Sequence, residues 1–405
     1  MNFDLARAMR EAASLTRSQK LTDATSVIQD ALAGMRQQSE TLSRTEPKGE
    51  SAGAASGSSG RWQHGSAKVA QRLKMPLGDV LKILREAKLR GRPRTPLAGM
   101  KARSAPKITE GAQYLTRSFS CAAGTRSYKL YIPRRRAEGL PLVVMLHGCT
   151  QDADDFAMGT RMNSLAEEFG FLVAYPSQPS IANPSSCWNW FQPKDQVRGA
   201  GEPSIIAGLT KDIVVKYHLN PKRIFVAGLS AGGAMAAVLG ATYPDLYCAI
   251  GVHSGLAFKS ASDVVSAFAA MRGDHSSGRA SAGTWNGDTA RIRAIVFHGD
   301  ADHTVHSSNA EKIVEAYAGQ RGDAGKVASG HRGGRPYTRT VIQNQSGHSR
   351  TELWMIGGAG HAWSGGSKEG SFTDTAGPDA SREMARFFLE APGNEAHRAE
   401  LFDCR

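Results

Sequence analysis

Three residues in this sequence have the types and the order that acyl transfer at a serine hydroxyl requires: Ser230 in GLSAG, Asp302 in HGDADH and His361 in GAGHAW. A serine hydroxyl is a weak nucleophile until a base takes its proton, and the base in turn needs a carboxylate that fixes its tautomer. Ser, acid, His is one of the chain orders in which such a set occurs. Asp300 is the rival acid; it stands nearer the end of the preceding apolar run, where a turn cap is the competing role, and Asp302 is preferred as the orienter of His361. His303 and His306 follow closely, and exposed loop histidines are a better reading of them than a metal site with Asp302. No metal and no cofactor are expected.

Acyl transfer also needs N–H donors for the oxyanion that develops. The backbone N–H of Ala231, directly after the nucleophile, is one. A second is expected from the turn after an earlier strand, and His147-Gly148-Cys149 in LVVMLHGCTQ offers the N–H of Cys149. His147 itself reads as a structural histidine. The segment SSCWNWFQ places Trp188, Trp190 and Phe191 in a loop beyond a strand, where clustered aromatics line an apolar acyl or aryl pocket or else cover the core. Trp188, Trp190 and Trp363, the last beside His361, are the candidate substrate contacts. Cys149 and Cys187 both fall on such loops, so an oxidising compartment would allow a disulfide between them, and the sequence leaves open whether it forms.

These residues need elements to hold them. GLSAG lies between the apolar run Ile224–Ala227 and a small-residue helix predicted over Ala231–Tyr243, a strand–turn–helix setting in which GxSxG forces the serine into a strained turn with its hydroxyl clear of the sheet. Strands are also predicted at Tyr128–Ile132, Leu142–Leu146, Phe171–Tyr175, Ala249–His253, Ile295–His298 and Thr351–Ile356. Helices are predicted at Met162–Phe169, Ile205–His218, Asn309–Gln320 and Ser381–Leu389. Strands alternating with helices make an α/β fold, a mainly parallel sheet flanked by helices.

The chain has 405 residues, 40% of them apolar and 21% charged, with 44 glycines and a formal net charge of +13. About 20 Lys and Arg against about 10 Asp and Glu fall in residues 1–110, leaving about 30 against 27 elsewhere, so most of the excess is N-terminal. Residues 1–37 read as a helical hairpin, 38–113 as a flexible basic linker with one short helix, 114–392 as the catalytic domain and 393–405 as a tail. The partly disordered basic helical N-terminal arm suits an anionic surface; nucleic acid is not expected, since before Tyr114 only Phe3 and Trp62 are available to stack on bases. Five cysteines form no disulfide scaffold and no zinc spacing. No apolar h-region opens the chain and no run is long enough for a transmembrane segment, so a cytoplasmic location is expected.

With HGCTQ, SCWNWF, GEPSIIAGL, GLSAGGAMA, YPDLYCAIGVHSGL, FHGDADHTVH and GAGHAWSGG in view, the chain resembles the polyhydroxybutyrate depolymerase family of esterases, from about Thr116 to Glu390. The resemblance implies an α/β-hydrolase fold, relatedness to feruloyl and acetylxylan esterases, the triad Ser230, Asp302 and His361, an oxyanion contribution at Cys149, and Trp190 at the border of the cleft. It implies a hydroxyalkanoate polyester or oligomer as substrate and makes an extracellular location the alternative. The family often bears a polymer-binding domain, and here a basic arm stands instead, which shifts the expectation toward small or oligomeric esters. Two other readings stand beside it: a feruloyl or acetyl esterase acting on plant cell-wall esters, and an anionic-surface or granule-binding protein with secondary hydrolase activity.

Overall fold

Five short runs, LVVML, LVAYP, IFVAGL, AIGVH and RAIVFHG, are buried at every position, as strands covered by helices on both faces must be. They form the centre of the sheet in a computed structural model that describes residues 105–274, 292–318, 325–343 and 350–390. The expected hairpin at 1–37, nearly all of the linker at 38–113 and the tail at 393–405 lie outside the described residues.

In chain order the strands are β1 Gln113–Cys121, β2 Gly124–Ile132, β3 Leu142–Leu146, β4 Leu172–Pro176, β5 Ile224–Leu229, β6 Ala249–His253, β7 Arg293–Gly299, β8 Lys326–Arg332, β9 Arg335–Gln343 and β10 Arg350–Ile356, with the short pair β11 Trp363–Ser364 and β12 Thr373–Asp374. The helices are α1 Ala153–Thr160, α2 Met162–Phe169, α3 Gly201–Lys216, α4 Ala231–Thr242, α5 Val264–Met271, α6 Ser308–Ala318 and α7 Ala380–Leu389. The ten-stranded sheet runs β1-β2-β4-β3-β5-β6-β7-β10-β9-β8. Neighbours from β4 to β10 pair in parallel, while β1 and β2 at one margin and β8 and β9 at the other pair antiparallel.

Side chains of alternating strand positions pack on opposite faces. Val143, Met145, Phe225, Ala227, Ile295 and Phe297 join Phe156, Leu165, Met384 and Phe388 from α1, α2 and α7 in one core. On the other face α4 packs on β5 and β6, and α6 on β7 and β10. Eight of the twelve residues of helix α4 are Ala or Gly, and Ala231 to Gly240 are buried, so its backbone lies close to the strands. The chain moves from β3 to β4 on one side and returns to β5 on the other. The connections that leave the carboxyl ends of β3 and β5 therefore part in opposite directions, the topological switch point at which open α/β sheets hold their ligands.

Candidate active site

Ser230 sits where β5 meets α4, with φ 56° and ψ −119°. A non-glycine residue at such angles is strained and persists only when its surroundings over-determine it. Those surroundings are visible: the Ser230 N–H donates to the His253 carbonyl at 2.9 Å, and the Ser230 carbonyl accepts from Ala234 N–H at 2.9 Å. A Cβ at Gly228 would strike the Gly232 backbone, and one at Gly232 would strike the Leu146 carbonyl. Both glycines of GLSAG are thus required by close approach. Ser230 is partly exposed while the strand before it is buried, as a nucleophile at a turn needs.

Asp302 lies in the turn after β7 and is 4% exposed. Its Oδ1 accepts the N–H groups of Thr304 and Val305, each at 2.9 Å, and its Oδ2 stands 2.8 Å from His361 Nδ1. Burial alone would raise this carboxyl, but the bond to His361 and the proximity of His361 and His298 hold it down at about 2. The ionised carboxylate only accepts, so Nδ1 of His361 is the donor and Nε2 is left as the basic nitrogen. Asp300 has the competing role: its Oδ1 accepts the Gly358 N–H at 2.7 Å and caps that turn. His303 and His306 are exposed, His306 bonds Ser308 Oγ at 2.9 Å, and among the described residues no cluster of three His, Cys, Asp or Glu side chains could hold a metal ion.

His253, at the end of β6, has no local motif in the sequence to mark it. Its carbonyl holds the Ser230 turn, while its ring Nε2 accepts the Ser364 N–H at 3.0 Å on the loop that carries His361. The ring is stacked between Phe297 and Trp363. Burial first, then repulsion from His298 and His361, lowers it to about 3. It is a neutral brace between two parts of the site.

The turn after β3 lies beside Ser230, since Leu146 pairs with Gly228 in register. Among the described residues no acceptor faces the N–H of Cys149 or that of Ala231, the latter being a first-turn amide with no partner inside its own helix. His147 is structural: it is buried, its Nε2 accepts the Gln178 N–H at 3.1 Å and its Nδ1 donates to the Gly148 carbonyl at 2.8 Å. Cys149 and Cys187 form a disulfide. Closing a loop across 38 residues stabilises the fold by about 4 kcal/mol in chain-entropy terms. Thr150 and Ser186, beside the two cysteines, both have positive φ, and Thr150 N–H donates to the Ser185 carbonyl at 2.7 Å.

Of the three tryptophans expected at the substrate, two are packing residues. Trp188 is fully buried with its Nε1–H donated to the His147 carbonyl at 3.1 Å. Trp363 is buried between Phe156 and His253 and donates to Ser381 Oγ at 3.0 Å. Neither presents ring surface to a ligand. Trp190 retains 5% exposure and meets Phe191 edge-on. The loop that bears it is fixed by Glu202 at the start of α3: that buried carboxylate accepts Asn189 N–H at 2.7 Å, Asn189 Nδ2 at 2.8 Å, Arg126 at 3.1 Å and the Gln178 side chain.

Asp195 joins this network by accepting the Glu202 N–H at 2.7 Å, while its Oδ2 is buried without a partner. Burial first, and the charge of Glu202 second, push its carboxyl up to about 6. The fold favours the protonated acid, so its contribution to stability is complete below about pH 4 and is lost as the pH rises through 6. Asp195→Asn keeps the acceptor for Glu202 and is expected to raise the melting temperature by roughly 2–4 °C at pH 7 and to leave it unchanged near pH 4. A pH-independent difference between the two proteins would show that the charge is not what destabilises.

The family model described as Esterase PHB depolymerase matches residues 126–341, just over half of the chain; Ser230 and Asp302 fall inside the match and His361 beyond it. The chain is 32% identical over 255 residues to poly(3-hydroxyalkanoate) depolymerase C of Paucimonas lemoignei, covering 60% of each chain. It is 34% identical over 166 residues to feruloyl esterase B of Neurospora crassa, covering 41% of this chain and 55% of that one. With acetylxylan esterase A of Talaromyces purpureogenus it shares 31% identity over 227 residues, covering 53% and 58%. The chain thus spans between half and two thirds of the length of these relatives.

Proposed function

Because the chain belongs to the Esterase PHB depolymerase family, we propose that it is a serine-dependent carboxylic-ester hydrolase acting on short-chain hydroxyalkanoate polyester or its oligomers through an acyl-enzyme. The observation that carries this reading is the buried Asp302–His361 pair, whose 2.8 Å bond leaves Nε2 basic, in a sheet whose β5 ends on the strained Ser230. In the first step His361 takes the Ser230 proton as the hydroxyl attacks the ester carbonyl, and the oxyanion is received by the N–H groups of Cys149 and Ala231. Protonated His361 then gives its proton to the departing alcohol. Water repeats the sequence on the acyl-serine and releases the acid.

A feruloyl or acetyl esterase is the second reading, favoured by the comparable identity to the feruloyl and acetylxylan esterases. The test is turnover by purified full-length protein of 3-hydroxybutyrate oligomers, acetylated xylan, methyl ferulate and a p-nitrophenyl acetate control. Highest kcat/KM on the oligomers supports the first reading, and highest kcat/KM on either plant ester replaces it. The same series with Trp190→Ala is expected to change the order of preference among the larger acyl groups while p-nitrophenyl acetate stays within about three-fold. A uniform loss with a lowered melting temperature would make Trp190 a packing residue like Trp188. The Cys149–Cys187 disulfide supports the extracellular of the two locations considered, since such bonds persist in oxidising compartments. Attachment to an anionic surface rests on the arm outside the described residues and draws no support from the relatives.

A further inference from the structure

We infer that Gln151, the last residue of HGCTQ, is a positioning residue that aims the Cys149 N–H at the oxyanion and ties it to the loop bearing His361; this rests on the ester-hydrolase reading above. Gln151 is 3% exposed. Its Oε1 accepts the Gly148 N–H at 2.9 Å. Its Nε2 donates to the Ser371 carbonyl at 2.9 Å and to Asp155 Oδ2 at 3.0 Å, so both amide hydrogens have acceptors. The orientation of the amide is forced, because an N–H needs the oxygen and a carboxylate needs the nitrogen.

Asp155 extends the clamp. It accepts the Ser371 N–H at 2.9 Å and the Ser371 hydroxyl, and its own N–H is held by the Asp152 cap of α1 at 2.9 Å. Ser371 belongs to the loop that runs from His361 to α7 and is folded back on itself by the pairing of Trp363 with Thr373. One buried side chain therefore joins the turn that offers an oxyanion donor to the segment that presents the base.

The turn itself has its amides sorted by these bonds. Gly148 N–H goes to the Gln151 side chain, Thr150 N–H to the Ser185 carbonyl and Gln151 N–H to the Gly148 carbonyl at 3.3 Å. Cys149 N–H alone in this turn has no acceptor among the described residues. A substituent at Gly148 would meet the Ser230 Cβ at 3.6 Å, so the turn lies directly against the nucleophile. Without Gln151 the Gly148 N–H is released and competes for the same carbonyl oxygen from the wrong direction, and the turn is free to rotate away from the reacting carbon.

The test uses full-length protein. Gln151→Met keeps length and volume but removes both polar ends; Gln151→Glu keeps the acceptor for Gly148 and sets a charge against Asp155. Each is expected to lower kcat on a p-nitrophenyl ester by about 10²-fold with KM held within about three-fold, the signature of an interaction made in the transition state. Affinity for an alkylboronic acid, which forms a tetrahedral anion on the serine, should fall in the same proportion. Adding Asp155→Asn to Gln151→Glu places a donor opposite the new carboxylate and should recover about ten-fold of kcat and of boronate affinity. A folded Gln151→Met with kcat and boronate affinity near wild type overturns the inference, as does a loss of kcat with boronate affinity unchanged. If Gln151→Met does not fold, the Gln151→Glu pair decides, and no recovery on adding Asp155→Asn overturns it. Failure of the ester-hydrolase reading looks different: the unaltered protein would neither turn over the ester nor bind the boronate.

Discussion

Replacing Ser230 by alanine is expected to reduce ester turnover by roughly 10⁶-fold, the scale seen when a serine nucleophile with a paired base is deleted, and to leave the fold in place. The second expectation follows from where the side chain sits. Ser230 is partly exposed at the end of β5, and the bonds that fix the turn run through its backbone N–H and carbonyl, which alanine retains. The strain at φ 56° also remains, because it arises from the Cβ. Ser230→Gly should therefore be as inactive and melt higher than Ser230→Ala. The measurements are burst and steady-state kinetics on a p-nitrophenyl ester, melting curves, and the mass of the intact protein after exposure to an alkylphosphonate. Activity within ten-fold of wild type in the alanine variant, or a phosphonate adduct still formed on it, would remove Ser230 from its role.

The central strands are legible because burial on both faces demands continuous apolar runs, and Leu142–Leu146 and Ala249–His253 are found at the predicted positions. Small-residue helix α4 likewise starts at Ala231 as predicted and ends one residue short of Tyr243. Two of the strands that escaped prediction bury little. β1, QYLTRSFSC, has no fully buried position, and β8, KVASGHR, is almost entirely exposed, so neither has a periodic apolar signal. α1 ends at Arg161 in the left-handed region and buries Ala153, Phe156, Ala157, Gly159 and Thr160, of which only Phe156 is large and apolar, so its buried face is weakly marked. α5, of eight residues, starts from a capping box at Asp263 and Ser266, and that cap is the main local sign of the helix.

The site divides along a similar line. Ser230, Asp302 and His361 are the residues a sequence reading can propose, because each stands in a local motif with its own chemistry. The residues that brace them are not, since their partners are remote: Arg126 and Glu202 are 76 residues apart, His253 and Ser364 111, Gln151 and Ser371 220. A buried polar side chain reveals its purpose only when its acceptors are known. The tryptophans mislead for a related reason. Aromatic clustering in a loop predicts apolar contact, and only burial decides that Trp188 and Trp363 make theirs with the protein.

Asp302→Asn is expected to lower kcat by about 10⁴-fold, and Asp300→Asn by no more than about three-fold, with KM little changed in either. The two acids are two residues apart in sequence but bond to different groups. Asp300 accepts one backbone N–H, from Gly358, and the side-chain oxygen of asparagine accepts it equally well. Asp302 faces the Nδ1–H of His361 at 2.8 Å with an oxygen that carries charge. In the asparagine variant that charge is absent when the imidazole becomes an imidazolium, and an amide N–H turned toward Nδ1 would select the tautomer with Nε2 already protonated. The loss should persist across the whole working range, because the Asp302 carboxyl, held at about 2, is ionised wherever ester turnover would be assayed. Its depressed value also fixes the sign of the stability effect: the contribution is complete above about pH 4 and fades as the pH falls toward 2. Kinetics of both variants from pH 5 to 9, with melting curves from pH 2 to 7, test this. An Asp300→Asn loss larger than that of Asp302→Asn would transfer the orienting role to Asp300 and break the link between the 2.8 Å contact and the chemistry.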